Sequence, residues 1–326
     1  MLTALTFLVI NLIGYIMALV YGPFWGLLVY VNIYFNSPDE KLNWCGVYLP
    51  VERWNLLSSA ILLISFALHW RNTCKHKYES IIWAFLFLVL SFVITLFIAV
   101  DPQEAFHHTY LILTYCIIMF IIVRAIKDVW QYRLFCLSIV VLAAGLSIKA
   151  FLYGKRIDAR LENIGTPDTL GSNEFALLLV NIIPLTVPFI IRGRWYERII
   201  CLVSVPIVLN AIILANSRGA VLAFMISILL AVAIISDKKV RKTVIGLLIL
   251  TIFLFIYLAD DYFVDRMSTL LNIDGAVQNE NNMNELSSGR TEIWKYGFQM
   301  VEDHPFGAGP NGFKQLARFY MPQEIL

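Results

Sequence analysis

Ten apolar runs divide the chain, near residues 2–20, 22–35, 54–70, 81–100, 109–124, 133–152, 174–192, 197–215, 219–236 and 243–259. A helix needs about 20 apolar residues to cross a hydrocarbon core about 30 Å thick, and most of these runs approach that length. Backbone polar groups find no water in lipid, so spanning segments of this kind fold as helices. The pattern therefore predicts an all-α, polytopic membrane bundle over 1–259. Tyr21-Gly22-Pro23 separates the first two runs as a turn, and the second of them is short. The first run has no basic stretch before it and no convincing small-residue cleavage site, so it reads as a retained helix rather than a signal peptide.

The pattern changes after residue 260. Asp260-Asp261 closes the last apolar run, and Asn272 to Ser288 is polar and rich in asparagine. Gly289–Asp303 then shows helical periodicity, with Ile293, Tyr296 and Met300 on one face and Trp294, Phe298 and Val301 widening it. His304-Pro305 stops that helix, and Gly307, Gly309, Pro310 and Gly312 force a turn-rich stretch. Residues 260–326 thus read as a separate polar loop domain that stops in mid-loop, as a partial chain would.

Composition agrees with a membrane assignment. The 326 residues are 59% hydrophobic and 15% charged, against about 25% charged in ordinary soluble domains. Charge distribution adds an orientation. The connections at 71–80, 124–133, 192–198 and 237–242 carry thirteen bases and four acids, whereas the intervening ones carry eleven bases and nineteen acids. By the positive-inside rule the first set faces the cytoplasm. Residues 36–53, 101–108, 153–173 and the stretch after 260 then lie outside; an even helix count puts the amino terminus outside too, and inside if one of the first two runs does not span. The five cysteines form no framework, and no Cys/His cluster has ligand spacing, so neither disulfides nor a metal site is expected. His107-His108, adjacent in the outer loop 101–108, is expected to serve there or at the interface. Nothing indicates nucleic-acid binding.

Arg218 is the first candidate for chemistry. It lies in Asn216-Ser217-Arg218-Gly219, between two apolar runs. An arginine at such depth is costly and is usually kept where it meets an anion, a partner or a water-filled cavity; the alternative is a topological arginine snorkelling to the surface. Asn216, Ser217 and Gly219 would add hydrogen-bond donors and a close backbone approach. Arg290 follows Gly289 in the first turn of the loop helix, where a cation opposes the macrodipole by about 0.3–1 kcal/mol. A phosphate at that terminus reverses the sign. A solvent-facing arginine paired with Glu292 is the competing account. His304 is a residue type that can act as a base, although a helix-capping role competes with any part in chemistry.

Three segments together resemble a known family. Asn-Ser-Arg-Gly-Ala at 216–220, Gly-Arg-x-x-x-Trp at 289–294 and His-Pro-Phe-Gly-x-Gly-Pro-Asn-Gly-Phe at 304–313 are similar, in order and separation, to the O-antigen ligase/polymerase superfamily. Tyr21-Gly22-Pro23-Phe24-Trp25-Gly26-Leu27-Leu28 and Ser172-Asn173-Glu174-Phe175-Ala176 look like its exosortase-associated O-glycosylation ligase subgroup. The resemblance implies a membrane glycosyltransferase of the bacterial inner membrane that uses neither metal nor cofactor. Its donor would be an undecaprenyl-pyrophosphate-linked glycan and its acceptor lipid A core, protein or polysaccharide on the periplasmic face. Arg218 and Arg290 would grip one diphosphate as catalytic residues, with Asn216, Ser217, Gly219, Gly289 and His304 in supporting contact. The family's catalytic base is a histidine of a His-Asn-like motif beyond the glycine stretch, past the point where this sequence stops. His304 belongs to the earlier motif and does not replace it. A polymerase of the same superfamily, a lipid-linked glycan transporter and a non-catalytic scaffold are the competing readings. Pro184, Pro188 and Pro206 inside spans favour the transporter, and the absence of an inverted repeat speaks against it.

Overall fold

The structure, a computed structural model, describes residues 2–38, 53–73, 79–157, 160–162, 171–235, 237–259 and 290–322, with 164, 166, 169 and 264. Each of the ten apolar runs forms a helix: α1 (Leu2–Tyr21), α2 (Pro23–Phe35), α3 (Trp54–Leu68), α4 (Glu79–Thr95), α5 (Pro102–Ala125), α6 (Val129–Tyr153), α7 (Ser172–Arg192), α8 (Trp195–Leu214), α9 (Arg218–Ile234) and α10 (Lys238–Leu258). Two more follow, α11 (Arg290–Asp303) and α12 (Gly312–Tyr320). Six of them, α1, α5, α6, α7, α8 and α10, are long and apolar enough to span a bilayer; α2, α3, α4 and α9 are apolar but shorter. This is an all-α polytopic membrane bundle. Among the described residues one two-stranded ribbon departs from it, β1 (Lys155–Ile157) against β2 (Arg160–Glu162), with Lys155 opposite Glu162.

Two helix starts differ from the apolar pattern. α5 begins at Pro102 rather than 109, because Asp101 caps it: its Oδ1 accepts the Glu104 amide at 3.2 Å and its carbonyl the Ala105 amide at 3.0 Å. His107 and His108 are therefore on a helix, not in a loop, with rings 5.9 Å apart at 75°. α10 likewise begins at Lys238, where Asp237 accepts the Val240 amide on Oδ1 at 3.4 Å and the Arg241 amide on its carbonyl at 2.8 Å. In both cases polar first turns hide a helix from a reading based on hydrophobicity, and a side-chain cap supplies what lipid does not.

The chain forms two compact units that do not follow a division near residue 259. The first comprises 1–73 with 125–267, the second 74–124 with 268–326.

In the first unit, α2 runs antiparallel to α1 and α3. Phe7 and Trp54 meet edge-on at 5.2 Å near one end, and Ser65 Oγ donates to the Ala18 carbonyl at 2.5 Å near the other. Phe7, Tyr15, Val29, Ile33 and Trp54 form the core there. A file of amides crosses these helices: Asn11 Nδ2 donates to Phe7 O at 2.7 Å, Asn32 to Asn11 at 3.2 Å and Asn36 to Asn32 at 2.9 Å, and Lys149 Nζ donates to Asn36 Oδ1 at 2.6 Å. In a water-free interior such groups bond one another, which ties α1, α2 and α6 together.

The basic connections gather at one end of this unit. Arg133 at the start of α6 forms a two-pronged ion pair with the buried Glu197 at the start of α8, its Nε 2.9 Å from Oε1. Arg192 lies 3.9 Å from Asp237, joining the α7–α8 and α9–α10 connections. Phe24, just past the α1–α2 turn, meets Trp130 at 5.5 Å. At the opposite end lie Asn36 with Lys149, and Tyr34 with Thr166, whose Oγ1 donates to the phenol at 3.0 Å.

In the second unit α11 and α12 pack as a hairpin through Met300, Ala317 and Met321, flanked by Ile293, Tyr296, Leu316 and Tyr320. Tyr320 donates to Asp303 Oδ2 at 2.6 Å, a bond that holds the phenol's pKa above its ordinary value. α12 was not read from the sequence, although Phe313, Leu316, Ala317 and Tyr320 follow the i, i+3, i+4, i+7 spacing of an amphipathic helix.

Candidate functional site

The Asn-Ser-Arg-Gly segment is the tight turn from α8 into α9. Ala215 ends α8 in helical conformation, and Asn216 reverses the chain with φ 50°, a left-handed geometry that asparagine tolerates better than most residues. Its amide donates to Ile213 O at 2.9 Å. Ser217 is the N-cap of α9, its Oγ accepting the Ala220 amide at 3.4 Å. Asn216 and Ser217 are 2% and 4% exposed, enclosed with the fully buried Ala215. Much of their polarity thus serves the turn itself. Arg218, the first residue of α9, is half-buried, and Gly219 is exposed.

A Cβ at Gly219 would meet nothing within 4 Å. Protein packing does not demand glycine there, so the small residue leaves space beside Arg218. A helix start with a basic first residue is an arrangement that favours an anion. α8 runs from the basic end for 20 residues, about 30 Å at 1.5 Å per residue. The turn is therefore at the end of the first unit opposite the basic connections.

Arg290 has the same local position in the second unit, as the first residue of α11. Gly289 lies outside the described residues. His304 is at the far end of that helix: its amide donates to Met300 O at 2.9 Å and its carbonyl accepts the Gly307 amide at 2.8 Å. The 14-residue helix separates the backbone of Arg290 from that of His304 by about 20 Å. The two do not share a compact site, and the visible role of His304 is to end the helix.

The glycine motif has a structural purpose that sequence reasoning missed. Gly307 and Gly309 have φ 83° and 79°, and Asn311 has φ 60°. This turn carries the chain onto the α4–α5 connection, where the Val100 amide donates to Ala308 O at 3.0 Å. A Cβ on Gly309 would lie 2.6 Å from Ala99 Cβ and 2.9 Å from its Cα. Gln315 Nε2 adds a bond to Asp101 Oδ2 at 3.4 Å. Nothing in the motif alone named Ala99, Val100 or Asp101 as its partners. Lys149 was missed as well; its signal is an ionisable residue inside an apolar run.

Among the described residues no three His, Cys, Asp or Glu side chains cluster as metal ligands would. Cys116, Cys136 and Cys201 are free thiols, and Cys45 and Cys74 lie outside the described residues.

Residues 203–325 match the family model described as O-antigen ligase. The match covers somewhat over a third of the chain, and over that stretch the protein is similar to O-antigen ligases. The matched stretch contains the α8–α9 turn, Arg290 and the glycine motif, the segments on which the sequence resemblance rests; residues before 203 lie outside it. It does not single out the exosortase-associated subgroup. No curated protein and no solved structure matches the chain. The chain is a multi-pass membrane protein whose C-terminal part is similar to O-antigen ligases.

Proposed function

We propose that this O-antigen ligase-like protein transfers a glycan from an undecaprenyl-pyrophosphate carrier to an acceptor hydroxyl. The carrying observation is Arg218: a half-buried guanidinium at the start of α9, beside an open glycine, within the family match. The leaving group of such a donor is an anionic diphosphate. A cation and backbone N–H groups preorganised where that charge grows favour its departure without metal. Arg290, the first residue of α11 in the second unit, is a basic helix start of the same kind. Asn216 and Ser217 shape the turn that presents Arg218, and Gly219 leaves room for the ligand. His304 contributes as the stop that sets the glycine turn.

The basic end of the first unit faces the cytoplasm by the positive-inside rule. The α8–α9 turn, the ribbon and the polar region 260–326 then face the periplasm of an inner membrane, where lipid-linked glycans are consumed. Acceptors of this chemistry are lipid A core, protein or polysaccharide.

The test uses inner membranes carrying the full-length gene product, supplied with lipid-linked glycan and candidate acceptors. Wild-type membranes release undecaprenyl pyrophosphate and form a new glycosidic bond, whereas Arg218→Ala and Arg290→Ala lower the rate by about 100-fold or more. Normal transfer by both variants rejects the assignment. Product length separates transfer onto a distinct acceptor from polymerisation.

A further inference from the structure

Within the first unit, α7, α8, α9 and α10 border a cavity of about 260 Å³, lined by Pro184, Val187, Phe224, Ile228, Leu247 and Leu248 among others. Three hydroxyls lie on its wall, and two are engaged within their own helices: Thr186 donates to Ile183 O and Ser227 to Ala223 O, each at 2.7 Å; the third is the buried Thr251. They leave little to anchor water, and an apolar cavity left empty is destabilising. An apolar chain is the occupant this lining suits.

The cavity runs toward the basic end. Its wall reaches Ile190 and Ile235, each two residues short of the pair Arg192 and Asp237. Around that mouth Lys238 and Lys242 are exposed, Arg241 is half-buried, and the Arg192 side chain is 76% exposed. Asp237, which lies 3.9 Å from Arg192, also caps α10. Four cations against one engaged carboxylate leave a net positive rim over an apolar hole.

We propose that this is a binding site for an anionic phospholipid of the leaflet at the basic end. One acyl chain fills the space between α7 and α10, and the headgroup phosphate rests on Lys238, Arg241 and Lys242. Charge complementarity selects an anionic lipid over a zwitterionic one. The lipid-linked donor is a poor occupant: α9 has 17 residues, so its two ends lie about 24 Å apart, and a diphosphate near Arg218 is far from this rim. The bound lipid would wedge the proline-containing α7 against α10, so the site supports the scaffold and does not depend on the glycosyl-transfer reading.

The experiment compares phosphatidylglycerol with phosphatidylcholine on the purified full-length protein, by native mass spectrometry after delipidation and by thermal unfolding. Wild type is expected to retain and be stabilised by phosphatidylglycerol. The variant K238Q/R241Q/K242Q should lose that preference by about fivefold per charge removed while still holding lipid. Leu247→Trp fills the cavity and should abolish retention of either lipid; if it fails to fold, Ser227→Leu narrows the same space and must give the same loss. Equal retention of both lipids by wild type, unchanged retention in the cavity variants, or stabilisation by inorganic phosphate alone would each overturn the proposal.

Discussion

Arg218 begins α9 and Arg290 begins α11, positions where a cation is unfavourable by about 0.3–1 kcal/mol unless an anion is bound. The proposed anionic ligand would offset the same penalty at both helix starts. Arg218→Lys should recover only a small part of the transfer rate lost in Arg218→Ala, because a lysine is a point charge without the planar fork that engages two oxygens. A lysine variant as active as wild type would show that charge alone suffices. Arg133 is a different kind of arginine. It neutralises Glu197, which is 2% exposed, so Arg133→Ala should destabilise the first unit by about 3 kcal/mol. Thermal unfolding in detergent measures this, and Arg133→Ala/Glu197→Leu should regain stability because no buried charge is left behind.

At the scale of elements, the turn between α11 and α12 is held by backbone rather than side chains. Gly309→Ala would combine an unfavourable φ of 79° with contacts of 2.6–2.9 Å to Ala99. Together these should cost about 1–3 kcal/mol. Hydrogen exchange at the Val100 amide should accelerate, while amides inside α11 keep their protection; unchanged exchange at Val100 would rule out the docking role. The bond from Tyr320 to Asp303 adds a pH term. A raised phenol pKa contributes stability fully below the unfolded value of about 10 and loses it as pH climbs through the raised value. Tyr320→Phe should therefore remove a weakening of the hairpin that wild type shows only at strongly alkaline pH.

For the whole molecule the strongest pattern is segregation of charge. Arg133, Glu197, Arg192 and Asp237 meet at one end of the first unit, and Lys149, Asn36, Tyr34 and Thr166 at the other. Single cysteines placed at Arg192 and at Lys155, in a background lacking the native cysteines, should react with an impermeant maleimide from opposite sides of the membrane. Labelling of both from one side would dismiss the orientation and with it the periplasmic placement of Arg218.

The chain's apolar spacing was enough to determine ten helices, because lipid leaves the backbone no other way to satisfy its hydrogen bonds. The loop helix up to Asp303 and the glycine turn after it were also legible, since periodicity, proline and glycine act locally. Local capping decided what that reading misplaced: Asp101 and Asp237 extend α5 and α10 through polar turns. α12 was overlooked although its spacing was present. Only tertiary structure decided that α4 and α5 join the C-terminal helices in one unit, that Gly309 answers to Ala99, and that Lys149 ends a file of asparagines from Asn11. Those relations join residues far apart in the chain, and they arise when packed helices leave a polar group or a small gap with one neighbour able to satisfy it.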